Sequence, residues 1–369
     1  MKITNIETVY IKEKKIEKRT DGSQDALLVK ISTDSGIVGW GEVDSSPQVA
    51  EAIINAPYSH MLVDGLKNII MGENPLNTEK LWDKMYQKTL YYGRSGAVLH
   101  AMAGIDIALW DIKGKFLNLP IYELMGGCFV DKMRVYSSNM FQYSIEDTVD
   151  RVKIAIDTGH TAVKFGWEPF GFDEDLDLKY IEAIRKQLGS NLDFMLDVGL
   201  TWDAKTTIKR ARSYEPYNLF WIEEPLHPDN YHGYGIVSDK CVQHIAAGEE
   251  ECSMTGFKNL IDMGNIDIVQ IDVTRCGLTL AKKISEYANL FGKKVCNHNF
   301  TTDINSAASL HFLCSVPNSL VMEYCQEKGE ITRKLCTNPV KINDGYAFLP
   351  NEPGLGVIPD IEIIEKYKA

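Results

Sequence analysis

In the second half of the chain, seven strand-like apolar runs each end on an ionisable side chain: Lys164, Asp197, Glu223, Glu249, Asp272, His298 and Glu323. After a first step of 33 residues, the gaps are 26, 26, 23, 26 and 25. One strand, one helix and their connections take about that length, and the repeat is that of a (β/α)8 barrel of roughly 250 residues. Such a barrel delivers the C-terminal ends of all its strands to one mouth. A polar residue closing each strand therefore means one polar constellation. The rhythm starts after Arg134, with residues 135–139 as the first barrel strand. The apolar stretches 219–222 and 269–271 suit strands covered on both faces, as in a parallel sheet.

Residues 1–127 lack this rhythm. Alternating apolar positions predict antiparallel strands over residues 1–13 and 25–43, with Asp34-Ser35-Gly36 as a turn. The polar stretch 12–25 reads as a mobile loop over the surface. Helical spacing of apolar residues predicts helices over 47–55, 58–71, 78–88 and 95–117. Gly126-Gly127 breaks the chain before the barrel of residues 128–335. The Pro/Gly/Asn-rich tail, 336–369, reads as strand-poor and as packing back on the N-terminal segment.

At 369 residues, with 44% hydrophobic and 24% charged side chains, the chain has room for a barrel and a smaller domain. A net charge of −12 argues against nucleic acid or an anionic membrane as the main partner. It leaves a small anionic substrate open, because a local cation reverses the sign inside a pocket. The eight cysteines form no C-x-x-C pair, and free thiols in a reducing cytoplasm are expected. The start, MKITNIETVYIK, alternates like a strand and does not read as a signal peptide. No apolar run approaches the roughly 20 residues that span a bilayer.

Asp197, Glu223 and Glu249 end three successive strands, about 4.8 Å apart in a sheet. Three such carboxylates repel one another unless a cation lies among them, and all-oxygen ligation suits Mg2+ best, with Mn2+ next. Asp272 and His298 end the following two strands. A carboxylate beside an imidazole fixes its tautomer and favours its charged form, the pairing a general base needs.

The run GIDIALWDIKGK (residues 104–115), then PIYELMGG, AVK, MLDV, WIEEP, AAGEE, VQIDVTRCG and CNH, resembles the mandelate racemase subgroup of the enolase superfamily. The likeness extends from about residue 25 to the final PGLGV. It implies a modified (β/α)8 TIM barrel under an α+β capping domain formed by the N-terminal segment and the C-terminal tail. It implies Mg2+ on Asp197, Glu223 and Glu249, and proton abstraction beside a substrate carboxylate through an enediolate. Enolase-superfamily sites are a standard case of a Lys or His base working with Mg2+. For Lys164 it implies electrostatic contact with the substrate carboxylate, and for Glu323, if protonated, a hydrogen bond to an enediolate oxygen. A homo-oligomer, dimer or octamer, is also implied.

One position departs from the subgroup, which commonly carries K-x-K at the second barrel strand. Here the run is Lys164-Phe165-Gly166, and glycine stands where the second base is expected. A racemase wants a base on each face of the α-carbon, whereas one base suffices for dehydration. The expected activity is therefore Mg2+-dependent dehydration of a sugar acid, aldonate or aldarate, to a 2-keto-3-deoxy acid. The alternatives are a racemase, epimerase or cycloisomerase on the same scaffold, or a non-catalytic ligand-binding barrel. Trp167 and Glu168 lie next to the altered position. Arg19, Arg94, Arg275 and Asn299 are candidate readers of the polyol.

Overall fold

The computed structural model describes residues 1–327 and 329–369. Eight parallel strands form the barrel: β4 (Lys132–Met140), β5 (Ala162–Gly166), β6 (Asp193–Asp197), β7 (Trp221–Glu223), β8 (His244–Ala247), β9 (Ile268–Ile271), β10 (Lys294–Asn297) and β11 (Met322–Cys325). Each strand from β4 to β9 pairs with the next in sequence, and β11 pairs back onto β4. The closing seam between β10 and β11 has little backbone ladder. Val295 bridges to Asn318 and Leu320 at its lower end. Above, the Asn297 side chain stands in for a peptide group, accepting from the Glu323 N–H at 2.7 Å and donating to the Glu323 carbonyl at 3.4 Å.

A separate apolar layer fills the barrel: Tyr136, Ala162, Met195, Trp221, Ala246, Ile268, Cys296 and Val321. Each strand contributes one residue, except that Val321 immediately precedes β11. Large and small side chains alternate around part of the ring, and Tyr136 and Trp221 meet edge to face at 5.4 Å. This layer is the floor beneath the barrel mouth.

Seven helices follow β4 to β10: α6 (Ile145–Asp157), α7 (Glu174–Leu188), α8 (Ala204–Tyr214), α9 (Tyr231–Lys240), α10 (Met254–Asp262), α11 (Val273–Leu290, broken at Gly277) and α12 (Asp303–Cys314). Each begins on a side chain that accepts from the helix's first turn: Ser144, Asp173, Asp203, Asn230, Ser253, Asp272 and Thr302. These caps fix where each strand's exit loop ends, and so hold the mouth in register.

The N-terminal part is an antiparallel sheet, β1 (Ile3–Lys12), β2 (Asp25–Thr33) and β3 (Val38–Val43), with helices α1 (Pro47–Asn55), α2 (Leu66–Ile70), α3 (Thr78–Thr89), α4 (Ala97–Leu117) and α5 (Ile121–Leu124). Helix α4 packs on β3 and on α11 of the barrel. It is buried along most of its length, which its apolar composition requires. Its two buried acids are fasteners. Asp106 accepts from the Thr279 N–H at 2.8 Å and hydroxyl at 2.7 Å, on α11. Asp111 accepts from the N–H of Trp40 and of Leu355, joining sheet and tail. Glu42, also buried, accepts from Thr302 and Asn305 at the start of α12.

Two expectations are corrected. The helix expected over 58–71 exists only as α2, because Tyr58, Met61 and Leu62 are exposed and have nothing to pack on. Asp64 then starts the short helix by accepting from Gly65 and Asn68. The tail is also less strand-poor than its composition suggests. After a short α13 (Glu330–Arg333), strands β12 (Lys341–Asn343) and β13 (Tyr346–Phe348) form a hairpin that pairs antiparallel with the start of β4. Its turn, Asp344-Gly345, has φ of 51° and 70°, the left-handed pair a two-residue hairpin demands. Beyond it α14 (Ile361–Tyr367) returns to β1, where Ala369 N–H bonds the Tyr10 carbonyl.

Asn297→Leu should cost about 2–4 kcal/mol by leaving two buried backbone groups of Glu323 unpaired. Denaturant midpoints test this, and an unchanged midpoint would show that the seam closes without the amide.

Candidate active site

All seven strand-end residues converge on the mouth. Asp197 and Glu223 are the last residues of β6 and β7 and lie side by side in register. Asp272 and His298 directly follow β9 and β10, Glu249 lies two residues beyond β8, and Lys164 and Glu323 sit within β5 and β11. Four of them, Lys164, Asp197, Glu249 and His298, line a pocket of about 230 Å³ together with Gly166, Asp44, Trp167 and Arg275.

His298 Nδ1 lies 2.7 Å from Asp272 Oδ2, while Nε2 faces Glu249 at 3.5 Å. Burial works against the charged ring, but Glu249 and the Asp272 bond outweigh it and lift His298 to about 10. Burial raises the Asp272 carboxyl, and its bond and attraction to His298 pull it below the usual range. Its other oxygen accepts from Thr274 as the cap of α11, which locks the rotamer. Asp272 therefore orients the ring from a fixed position.

Lys164 is 3% exposed. Its ammonium bonds Glu223, approaches Glu323 Oε1 at 2.7 Å and Asp197 at 3.9 Å, and lies 5.6 Å above the Tyr136 ring. Burial disfavours the charge, but Glu223 and Glu323 reverse this and hold the lysine protonated. Glu323 also accepts from Ser138 Oγ and the Asn299 N–H, both at 2.7 Å. Burial raises its carboxyl, yet Lys164 and His298 bring it below the ordinary value. Both Glu323 oxygens are placed to accept here, one from Lys164 and Ser138 and the other from Asn299, an arrangement unlike the donating role that the resemblance implies.

The three carboxylates expected to bind metal are all buried. Asp197 is pushed well above the usual range by burial and the Glu223 charge, and Glu249 to about 7 by burial, despite the pull of His298. Glu249 Oε2 is buried with no hydrogen-bond partner among the described residues. Glu223 is held differently, one oxygen by Lys164 and the other by Trp221 Nε1 at 2.9 Å. Among the described residues the carboxylates whose oxygens all lie within 4.8 Å of one another are Glu224, Glu249 and Glu250; the expected trio Asp197, Glu223 and Glu249 is not drawn that close. An all-oxygen donor set with an unpartnered oxygen and acids too close to ionise together fits a hard divalent cation.

Gly166 explains the missing second base. A Cβ there would meet Asp197 Cβ at 2.7 Å and Oδ2 at 2.8 Å, so the slot is filled by the carboxylate itself. Next to it, Trp167 holds φ of 65°, a costly conformation for a bulky residue, and its indole covers Gly199 on the pocket wall. Glu168 is exposed and does not line the pocket.

Of the polyol-reading candidates, Arg275 lines the pocket but is committed to Asp44 at 2.9 Å and to the Glu249 carbonyl at 2.7 Å. Arg19 pairs with Glu327 at 3.0 Å, and its neighbour Thr20 reaches the pocket edge. Arg94 lies in a separate open cleft beside Tyr91 and Tyr92. Asn299 is buried and donates to Ser306, behind the pocket wall. Asp44 was not foreseen: it follows β3, far from the barrel in sequence, and no spacing signal marks it.

A histidine clamped by an acid, facing buried carboxylates at the mouth of a parallel barrel, defines an enzyme site built for proton transfer beside an anionic group. Residues 147–363 match the enolase C-terminal domain-like family, and residues 4–126 the N-terminal domain of mandelate racemase and muconate lactonizing enzyme. The chain belongs to this family, the mandelate racemase subgroup of the enolase superfamily. It is 28% identical to a D-xylonate dehydratase of Haloferax volcanii, over 99% of this chain and 88% of the relative. The crystal structure of the 3,6-anhydro-D-galactonate cycloisomerase from Zobellia galactanivorans superposes with a TM-score of 0.92 at 31% identity, covering 100% of both chains. A racemase from Streptomyces coelicolor with bound magnesium superposes at 0.88, with 25% identity and full coverage of both. The eight cysteines are unpaired, and no helix among the described residues is long and apolar enough to cross a membrane.

Lys164→Met should destabilise the protein by about 3–5 kcal/mol in EDTA, because Glu223 and Glu323 lose their buried counter-ion. Chemical denaturation measures it, and a loss below 1 kcal/mol would mean that the acids share a proton instead.

Proposed function

We propose that the protein is a Mg2+-dependent sugar-acid dehydratase, a hydro-lyase that converts an aldonate or aldarate to a 2-keto-3-deoxy acid. The observation that carries this is one-sided: His298 lines the pocket with Nδ1 held by Asp272, while the slot at residue 166 is filled by Asp197. One base serves an elimination, and a two-base racemisation lacks its second. The relative named as a D-xylonate dehydratase supports the same reaction class.

Asp197, Glu223 and Glu249 would hold the cation, with Mn2+ as a substitute. When bound, it supplies the positive field that acidifies a proton next to a carboxylate. Glu223 would then be shared between the cation and Lys164, and Lys164, still held by Glu323, would present its charge to the substrate carboxylate. With the Glu249 charge taken up by the cation, the main influence that keeps His298 protonated is withdrawn, and the neutral ring would take the α-proton at Nε2, with Asp272 fixing it through Nδ1. The resulting imidazolium delivers a proton to the departing 3-oxygen on the same face. Trp167, Met140 and Phe300 give the pocket its apolar lining.

Cycloisomerisation is the second reading, favoured by the likeness to the Zobellia cycloisomerase. The same base serves there, with a ring oxygen leaving in place of hydroxide. Cytoplasmic location and a homo-oligomeric state belong to this reading of the protein as a metabolic enzyme.

A library of sugar acids, with their anhydro and lactone forms, assayed for 2-keto acids with Mg2+ and with EDTA, tests the assignment. Turnover should need the metal and fall about 100- to 10,000-fold in His298→Asn. Deuterium exchange at the α-carbon without keto acid would instead establish epimerisation. Gly166→Ala should weaken Mg2+ binding about 10- to 100-fold by displacing Asp197, and Gly166→Lys should restore no second base. Calorimetric Mg2+ titration reads this, and unchanged affinity in Gly166→Ala would sink it.

A further inference from the structure

The half of the pocket away from Lys164 is acidic. Asp44 and Glu250 line it, and among the described lining residues the cations are Lys164, Arg275 and His298, the last held by Asp272 and Glu249. Arg275 is saturated. Its Nε and Nη2 contact Asp44 Oδ2 at 3.0 and 2.9 Å, and its Nη1 donates to the Glu249 carbonyl and lies 3.7 Å from Glu250. Its Nε also lies 3.9 Å from Asp272. One guanidinium thus faces three carboxylates and leaves that half with net negative charge. Arg19 is tied to Glu327 and Asp21, and Arg94 lies outside the pocket.

Asp44 has the geometry of a reader. One of its oxygens lies within 4.8 Å of an atom of Asp272 and of a ring nitrogen of His298, so it sits beside the reacting end. Oδ2 is anchored by Arg275, and Oδ1 accepts no hydrogen bond among the described residues. An anchored carboxylate with a free oxygen accepts from a hydroxyl and repels a second carboxylate. Apart from Asp197 and Glu249 at the base end, the remaining lining is neutral, with Thr20, Thr301 and Asn139 against Trp167 and Phe300. At about 230 Å³ the cavity falls below the roughly 300–1,000 Å³ of drug-sized sites, which suits a short chain.

We propose that Asp44, held by Arg275, selects monocarboxylate sugar acids: it accepts a substrate hydroxyl on Oδ1 and excludes the matching dicarboxylates. The inference rests on the sugar-acid reading of this pocket. It assigns the specificity to a residue of the N-terminal sheet and not to the barrel.

The test is calorimetric binding to Mg2+-loaded His298→Asn, which does not turn substrate over. The probes are matched pairs: xylonate and xylarate, gluconate and glucarate, galactonate and galactarate. The monoacid of at least one pair should bind tenfold or more tightly than its diacid. Adding Asp44→Asn should narrow that ratio about tenfold, and Glu250→Gln, which leaves the Arg275 anchor in place, should narrow it less. Diacids bound as tightly as monoacids, no binding by any probe, or a ratio unmoved by both substitutions would overturn the proposal. Keto-acid formation by the unsubstituted enzyme is read separately. Selective binding without keto acid would overturn dehydration and leave this inference standing. Rapid turnover of diacids would do the reverse.

Discussion

The barrel mouth is an exercise in charge compensation. Asp197, Glu223, Glu224, Glu249, Asp272 and Glu323 are all buried there, with Lys164, His298 and Arg275 as the neighbouring cations. Ions so desolvated persist only when paired or bonded. Lys164 answers Glu223 and Glu323, His298 answers Asp272 and Glu249, and Arg275 answers Asp44. The acids still outnumber the cations, and the unpartnered oxygen of Glu249 marks where the deficit lies. The Tyr136–Trp221 layer beneath keeps water from relieving it, lending a ring face to Lys164 and an indole N–H to Glu223.

Holding such a constellation requires a rigid frame, and the frame is made of polar fasteners as much as of apolar packing. Helix caps fix the exit of each strand, and Asp272 serves as cap and as partner of the histidine at once. Asp106, Asp111 and Glu42 bind the N-terminal part to α11, the tail and α12. Asp44 then rides on the same sheet as Glu42, two residues further on, so the fastening also sets a pocket wall. The run GIDIALWDIKGK carries the family likeness through this structural role and not through chemistry.

The barrel was legible because its period is long, regular and punctuated by ionisable residues. The Asp272–His298 pair was legible for the same reason, since neighbouring strands put neighbouring ends together. Contacts that cross the period were not. The Asn297 amide closing the seam, and Asp197 filling the space beside Gly166, depend on side-chain directions that no spacing encodes. Arg275 looked available because its partners come from residues 44, 249 and 272, in three separate stretches of chain. The tail hairpin did have a signal, Asp344-Gly345 between apolar residues, obscured by the Pro/Gly-rich surroundings. The over-long helix at 58–71 shows the converse error, in which apolar spacing exists without a surface to bury it.

Gly166 bears on how a two-base enzyme and a one-base enzyme diverge on this scaffold. If the slot were merely vacant, a single substitution would restore a base opposite His298. It is occupied, and its occupant, Asp197, is one of the carboxylates proposed to hold the metal. A base at residue 166 must displace that carboxylate, so the second base and the ligand geometry change together or not at all. On the proposed reaction, with the slot at residue 166 closed, proton removal and proton return fall to the same imidazole. The leaving oxygen must then depart on the face from which the α-proton was taken. The stereochemistry at two substrate carbons is thereby coupled to the absence of one side chain.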